Sequence, residues 1–205
     1  MQYLLKGLSV GQIREIIDVV PFTDGLKAVV MEFRVEDVRR TRGGERGLKQ
    51  TLYSDGLGLA VDYQVVRLGL DAGGGVPAIL EIPKVDAETA VRKAADGDFS
   101  DMVLSGSVEA FDKWDAFSDY VKGLGLDMSS VAVIDDSDAN AQQMKRIQEA
   151  GGVAIAFNPT EAGAKKFKEF GIPILKQGKP DLMPFGEIVL SDPQSRGSVI
   201  GRYCF

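Results

Sequence analysis

The chain has no histidine among its 205 residues. That absence removes the Ser-His-Asp triad, histidine-ligated zinc and a histidine general base together. Its one cysteine, Cys204, is the last residue but one. A single thiol forms neither an intramolecular disulfide nor a paired-cysteine metal site, and here it has no histidine to activate it as a nucleophile. Positive charge is in the minority: 24 Lys and Arg against 30 Asp and Glu give a net charge of -6 and a pI near 4.8. This balance argues against a general nucleic-acid surface. Arg39, Arg40, Arg42 and Arg46 form one basic run, for which a solvated loop accounts. No apolar run approaches the roughly 20 residues of a membrane span, and the first ten residues lack the charged start and apolar centre of a secretion signal. A soluble cytoplasmic protein is expected.

What remains is the chemistry of carboxylates, lysine, serine and metals. With 44% hydrophobic and 26% charged residues, the chain can bury one core, so residues 1–205 are expected to form a single domain with a small appended lobe. The most informative stretch is Val131 to Asn158, VAVIDDSDANAQQMKRIQEAGGVAIAFN. An apolar run of strand length breaks into Asp135, Asp136, Ser137 and Asp138, followed by a helical segment, two glycines and a second apolar run. In a parallel α/β sheet the acids would stand outside the carboxyl end of a strand, where such folds bind ligands. Clustered carboxylates suit a hard cation such as Mg2+, and acids at a solvated helix start are equally favoured by the helix dipole.

Elsewhere, Ser9 and Gln12 have capping-box spacing ahead of a helix over 10–20, stopped by Pro21. Leu26, Val29, Val30 and Phe33 continue as a second helix, and VEDVRRTRGGERG after it reads as a loop or loose helix end. Leu48 to Tyr53 reads as a strand ending at Ser54-Asp55-Gly56, with a helix over 59–70. Residues 71–111 read as a peripheral excursion that includes Gly73 to Gly75, a helix at Ala87 to Ala95 and a strand at Met102 to Leu104. A helix from Lys113 to Leu124 turns Trp114, Phe117, Tyr120 and Val121 inward. The tail offers a helix over 160–170, a strand over 172–175, and strand-like pieces near Ile188 and Val199. This alternation predicts an α/β fold, a doubly wound and mostly parallel sheet.

Three blocks, in order, resemble the haloacid dehalogenase-like (HAD) hydrolase superfamily, in particular its phosphoserine-phosphatase-like branch. LYSDGLGLAVDYQVVRLGLD is similar to the second motif, FDKWDAFSDYVKGLGLD to the third, and VIDDSDANAQQM with GGVAIAFNP to the fourth. The resemblance implies a Rossmann-like core and a Mg2+-dependent phosphomonoester hydrolase acting on a small phosphorylated molecule. Ser54 and Lys113 would be catalytic. Ser54, Asp55, Gly56 and Lys113 would hold the phosphate, and Asp135, Asp136 and Asn140 the metal. Phosphoryl transfer needs this kind of charge neutralisation on its oxygens.

The superfamily's first motif, a strand followed by Asp-x-Asp-x-Thr with the nucleophilic Asp, does not occur in this sequence. Asp96-Gly97-Asp98 follows a charged helix, and Asp136-Ser137-Asp138 belongs to the fourth block. Asn140 also stands where the fourth motif carries a further Asp. A chain that starts downstream of the first strand is therefore expected, with weak or absent phosphatase activity, since no aspartyl intermediate can form. Loss of that strand would open the sheet centre to water, a partner chain or a second copy. Two other readings stand beside this one. The first is a noncatalytic HAD-like protein that binds a phosphorylated ligand or a partner. The second is a receiver-like signalling domain, suggested by the same acidic pair and by Lys179-Pro180, though too little chain follows to complete one.

Overall fold

The computed structural model describes residues 5–81, 86–108, 112–178, 181–191 and 199–201. Helix α1, Val10–Val19, opens on the expected capping box, with Gln12 N donating to Ser9 Oγ and Ser9 N to Gln12 Oε1. Helix α2, Leu26–Arg42, starts after Gly25, whose φ of 76° and close approach to the Asp181 carboxylate leave no room for a Cβ. It runs through most of the segment expected as a loop. The Glu36 carboxylate accepts from Arg39 and from Arg40, three and four residues on, and this spacing holds the last turns helical.

Strand β1, Lys49–Leu57, leads through α3, Gly58–Leu68, into β2, Ala72–Val76. The glycines expected in a peripheral excursion therefore belong to the main sheet, and the excursion starts only at Pro77. It contains β3, Ala78–Glu81, the helix α4, Ala87–Ala95, and β4, Val103–Ser107, with β3 and β4 antiparallel. The lobe is tied to the N-terminal segment by Gly7 N to Leu104 O at 2.8 Å and Val10 N to Met102 O at 2.8 Å.

Helix α5, Lys113–Gly123, returns to β5, Val131–Asp135, and α6, Ala141–Glu149, leads to β6, Val153–Phe157. Helix α7, Glu161–Glu169, precedes the two-residue β7, Ile174–Leu175. Ile188, expected in a strand, lies in α8, Met183–Ser191, where the side of the helix carrying Phe185 and Val189 is buried. The last element is β8, Val199–Gly201.

The main sheet has the order β2-β1-β8-β5-β6-β7, and each adjacent pair is parallel. Helices cover both faces. Ala132 and Ile134 face a core with Phe33, Leu52, Val61 and Phe185, while Val131 and Val133 face one with Phe117, Met144, Ile147 and Phe167. Strand β5 is buried throughout, as a strand covered on both faces must be. Phe33 and Phe185 meet edge to face at 6.4 Å, and burying one such ring contributes about 1.5–3 kcal/mol.

The expectation of an open sheet centre is not met. Val199, Ile200 and Gly201 pair with Lys49, Gln50 and Thr51 of β1 on one side and with Val131, Ala132 and Val133 of β5 on the other. The chain's own backbone thus satisfies the ladder groups that a missing strand would have left bare. Among the described residues, no helix is long and apolar enough to cross a membrane.

Candidate functional site

Strands run outward from the middle of this sheet in both directions: β1 to β2 on one side, β5 to β6 to β7 on the other. The switch lies at β8, between the carboxyl ends of β1 and β5, where α/β sheets bind ligands. Beyond Gly201, β1 continues to Tyr53 and β5 to Asp135.

The phosphate residues expected on β1 form a bulge. Tyr53 lies opposite Gly74 and Leu57 opposite Val76, so Ser54, Asp55 and Gly56 stand against Gly75 alone. The strand runs on to Leu57 where it was expected to end near Tyr53, and the extra residues buckle out of the ladder. A Cβ at Gly75 would come 2.8 Å from Gly56 O, so glycine is what lets β2 close against the bulge. Gly56 N donates to Ser54 Oγ over 3.1 Å, which turns the hydroxyl inside the bulge, and Asp55 projects into solvent.

Lys113 is the first residue of α5, whose start is fixed by Asp112 accepting from Trp114 N and Asp115 N at 2.8 and 3.0 Å. Its side chain is only 8% exposed, and its Nζ forms an ion pair with Asp55 Oδ2, a carboxylate that is 67% exposed. Lys113 also lines a cavity of about 10 Å³ with Tyr53, Trp114, Phe117 and Val133. That volume holds about one water molecule. Burial and the neighbouring Tyr120 push the Tyr53 phenol up to about 12, so it stays neutral.

The expected metal residues do something else. Asp135 is fully buried, with Oδ1 accepting from Ser137 N at 2.8 Å and Oδ2 from Asn140 Nδ2 at 2.9 Å. Asn140 is buried too, and its Oδ1 accepts from Trp114 Nε1 at 3.2 Å. Asp136 is exposed, and Asp138 pairs with Lys166 at 3.7 Å. Among the described residues, no three acids cluster closely enough to hold a metal ion. The Asp135 oxygens accept from Asn140 and Ser137 and the Asn140 oxygen from Trp114, while Asp136 is exposed. Mg2+ is commonly held by one or two carboxylates together with water and a substrate phosphate, and here Asp135 would have to give up a hydrogen bond within the chain to serve as one of them.

The structure therefore brings Ser54, Asp55, Gly56 and Lys113 together at one edge and joins Asp135 to Asn140 in a separate clasp. Trp114 is the link, lining the Lys113 cavity and donating to Asn140. Sequence reasoning placed Trp114 in the core and missed this hydrogen bond; its position next to Lys113 was the only signal. Tyr53 was read only as a strand end. Asn158, at the end of β6, has a φ of 43° and accepts from Gln177 N over 2.7 Å, which makes it a loop clasp. Asp98 accepts from Ser100 in a turn. The basic run is used internally: Arg40 pairs with Glu36, and Arg46 donates to Leu124 O at the end of α5. Cys204 and Lys179-Pro180 lie outside the described residues. Strand β5, which a receiver domain would need as its opening strand, follows four earlier strands.

No protein-family model matches the chain, and no curated protein does. Among solved structures, a HAD family hydrolase from Salmonella enterica subsp. enterica serovar Typhi superposes with a TM-score of 0.62 at 14% identity, over 89% of this chain and 52% of that one. The chain thus spans about half the length of that hydrolase. At this identity the likeness is one of fold: an α/β chain with a HAD-type, Rossmann-like core.

Proposed function

We propose that this chain binds a small phosphorylated molecule at the carboxyl edge of β1 and β5, and that its hydrolysis of phosphomonoesters is weak or absent. The observation that carries the reading is Lys113, a buried cation at the switch point of the sheet. A buried ammonium needs an anionic partner, and a phosphoryl group supplies more charge and more acceptor oxygens than a carboxylate. Lys113 would bind the phosphoryl oxygens as a point charge. The Ser54 hydroxyl and the amides of the bulge would orient them.

The neighbour's description as a hydrolase and the three motif-like blocks support descent from a HAD phosphatase of the phosphoserine-phosphatase-like kind. Turnover would require a nucleophile at the end of the central strand, and the Asp-x-Asp-x-Thr phrase that carries it is absent from the sequence. Asp135 is fully buried and held by Ser137 and Asn140, which leaves it poorly placed to attack phosphorus. Binding at Lys113 is expected to be independent of Mg2+.

The test is a panel of phosphomonoesters, with p-nitrophenyl phosphate first, offered to the purified chain with Mg2+ and with chelator. The reading expects no metal-dependent release of phosphate from a chain that binds inorganic phosphate stoichiometrically. Metal-dependent turnover abolished by Asp136→Ala would overturn the noncatalytic part and restore the hydrolase.

A further inference from the structure

Lys113 already has an anion. Its ammonium pairs with the Asp55 carboxylate, and the two are very unequally placed, with the lysine side chain 8% exposed and the aspartate 67%. The lysine side chain lies against Tyr53, Trp114, Phe117 and Val133, with little of it in contact with water. The aspartate sits at the crest of the bulge with solvent around it, and it can leave the pair without losing hydration.

We infer that Asp55 is a resident competitor for the ligand's phosphoryl group, displaced into water when the ligand binds, and that it restricts the site to terminal phosphoryl dianions. The inference rests on the phosphate-binding reading of Lys113. A monoanion, such as a phosphodiester, offers Lys113 no more charge than Asp55 does and gains nothing by replacing it. A terminal phosphoryl group carries up to two charges on three oxygens and does gain. The bulge matters because it lifts the aspartate to an exposed crest position outside the regular β1 ladder. Asp55 thus sets both the affinity of the site and the kind of phosphate it accepts.

The experiment titrates the full chain, Asp55→Asn and Lys113→Met with inorganic phosphate and with dimethyl phosphate at pH 8, following the fluorescence of Trp114, the only tryptophan of the chain. Asp55→Asn is expected to bind inorganic phosphate roughly two- to fivefold more tightly than the unaltered chain, the scale of a partly exposed ion pair. Dimethyl phosphate, whose binding the same competition holds below detection in the unaltered chain, is expected to gain by a similar factor and to become measurable in Asp55→Asn. Binding of both probes with unchanged affinities in Asp55→Asn overturns the inference and leaves the phosphate site standing. Binding that survives Lys113→Met, or its absence in the unaltered chain and in Asp55→Asn alike, overturns the phosphate-binding reading and the inference with it.

Discussion

Asn140 Nδ2 donates to Asp135 Oδ2 over 2.9 Å, and both side chains are buried. With Trp114 Nε1 donating to Asn140 Oδ1, the pair joins α5 to the loop after β5 by side-chain hydrogen bonds. A buried carboxylate needs such donors, and removing one leaves a desolvated acceptor behind. Asn140→Ala is expected to destabilise the fold by about 1–3 kcal/mol, or roughly 2–12 °C in Tm for a chain of this size. Asn140→Asp is expected to cost at least as much, because it replaces a donor with a like charge. Thermal melts followed by circular dichroism check both, and unchanged melting would mean that the clasp carries no weight. The unaltered chain is expected to melt at the same temperature in Mg2+ and in chelator, since the buried oxygens of Asp135 and Asn140 already accept hydrogen bonds within the chain.

The pair between Glu36 and Arg39 and Arg40 gives a pH dependence with a defined sign. Hydrogen bonds from Arg39, followed by those from Arg40 and the two positive charges, hold the Glu36 carboxyl down at about 2, from an ordinary 4.5, against the opposing effect of burial. A folded-state value below the unfolded one stabilises the fold above about pH 4.5, and the contribution is lost as pH falls towards 2. Glu36→Gln should therefore be less stable than the unaltered chain at pH 7, by about 2 kcal/mol if its charged hydrogen bonds are typical. The two should converge as pH falls through that window. Urea denaturation at pH 7, 4.5, 3 and 2 measures this, and parallel curves would contradict it.

Strand β8 pairs through its backbone with β1 on one side and β5 on the other, which makes it sensitive to proline. Ile200 lies between Gln50 of β1 and Ala132 of β5. Ile200→Pro removes a ladder donor at a central position and is expected to cost about 3 kcal/mol or more, seen as a lowered urea midpoint or as aggregation. A variant that melts like the unaltered chain would mean that β8 does not hold the sheet together.

Much of the architecture could be read in the sequence because its signals are local. The helix over 87–95, the α6–β6 unit around Met144 and Ile155 and the capping box at Ser9 each depend on residues a few positions apart. The misreadings have physical causes. Residues 35–42 looked loop-like for their arginines and the following glycines, but the Glu36 pairs with Arg39 and the buried Arg40 keep them helical. Gly73 to Gly75 looked like an excursion because a glycine strand has no hydrophobic pattern; its purpose is close approach to the β1 bulge. Val199 to Gly201 pairs with strands some 65 to 150 residues earlier, and no local periodicity announces a central strand three residues long. At the site, Ser54 and Lys113 were recognisable as residue types, whereas the ion pair to Asp55 and the Trp114–Asn140 hydrogen bond span 58 and 26 residues. Those contacts give Asp55 and Asn140 partners within the chain that no local pattern announces.

Lys113→Met is expected to fold with nearly unchanged stability, since the methionine fills the same apolar cavity and Asp55, already in solvent, is easily hydrated. That makes it the clean variant for the central claim. The most direct measurement is a calorimetric titration of the unaltered chain and of Lys113→Met with inorganic phosphate in chelator. The account predicts one saturable site in the unaltered chain and none in the variant. Equal binding by both, or no binding by the unaltered chain, would contradict it.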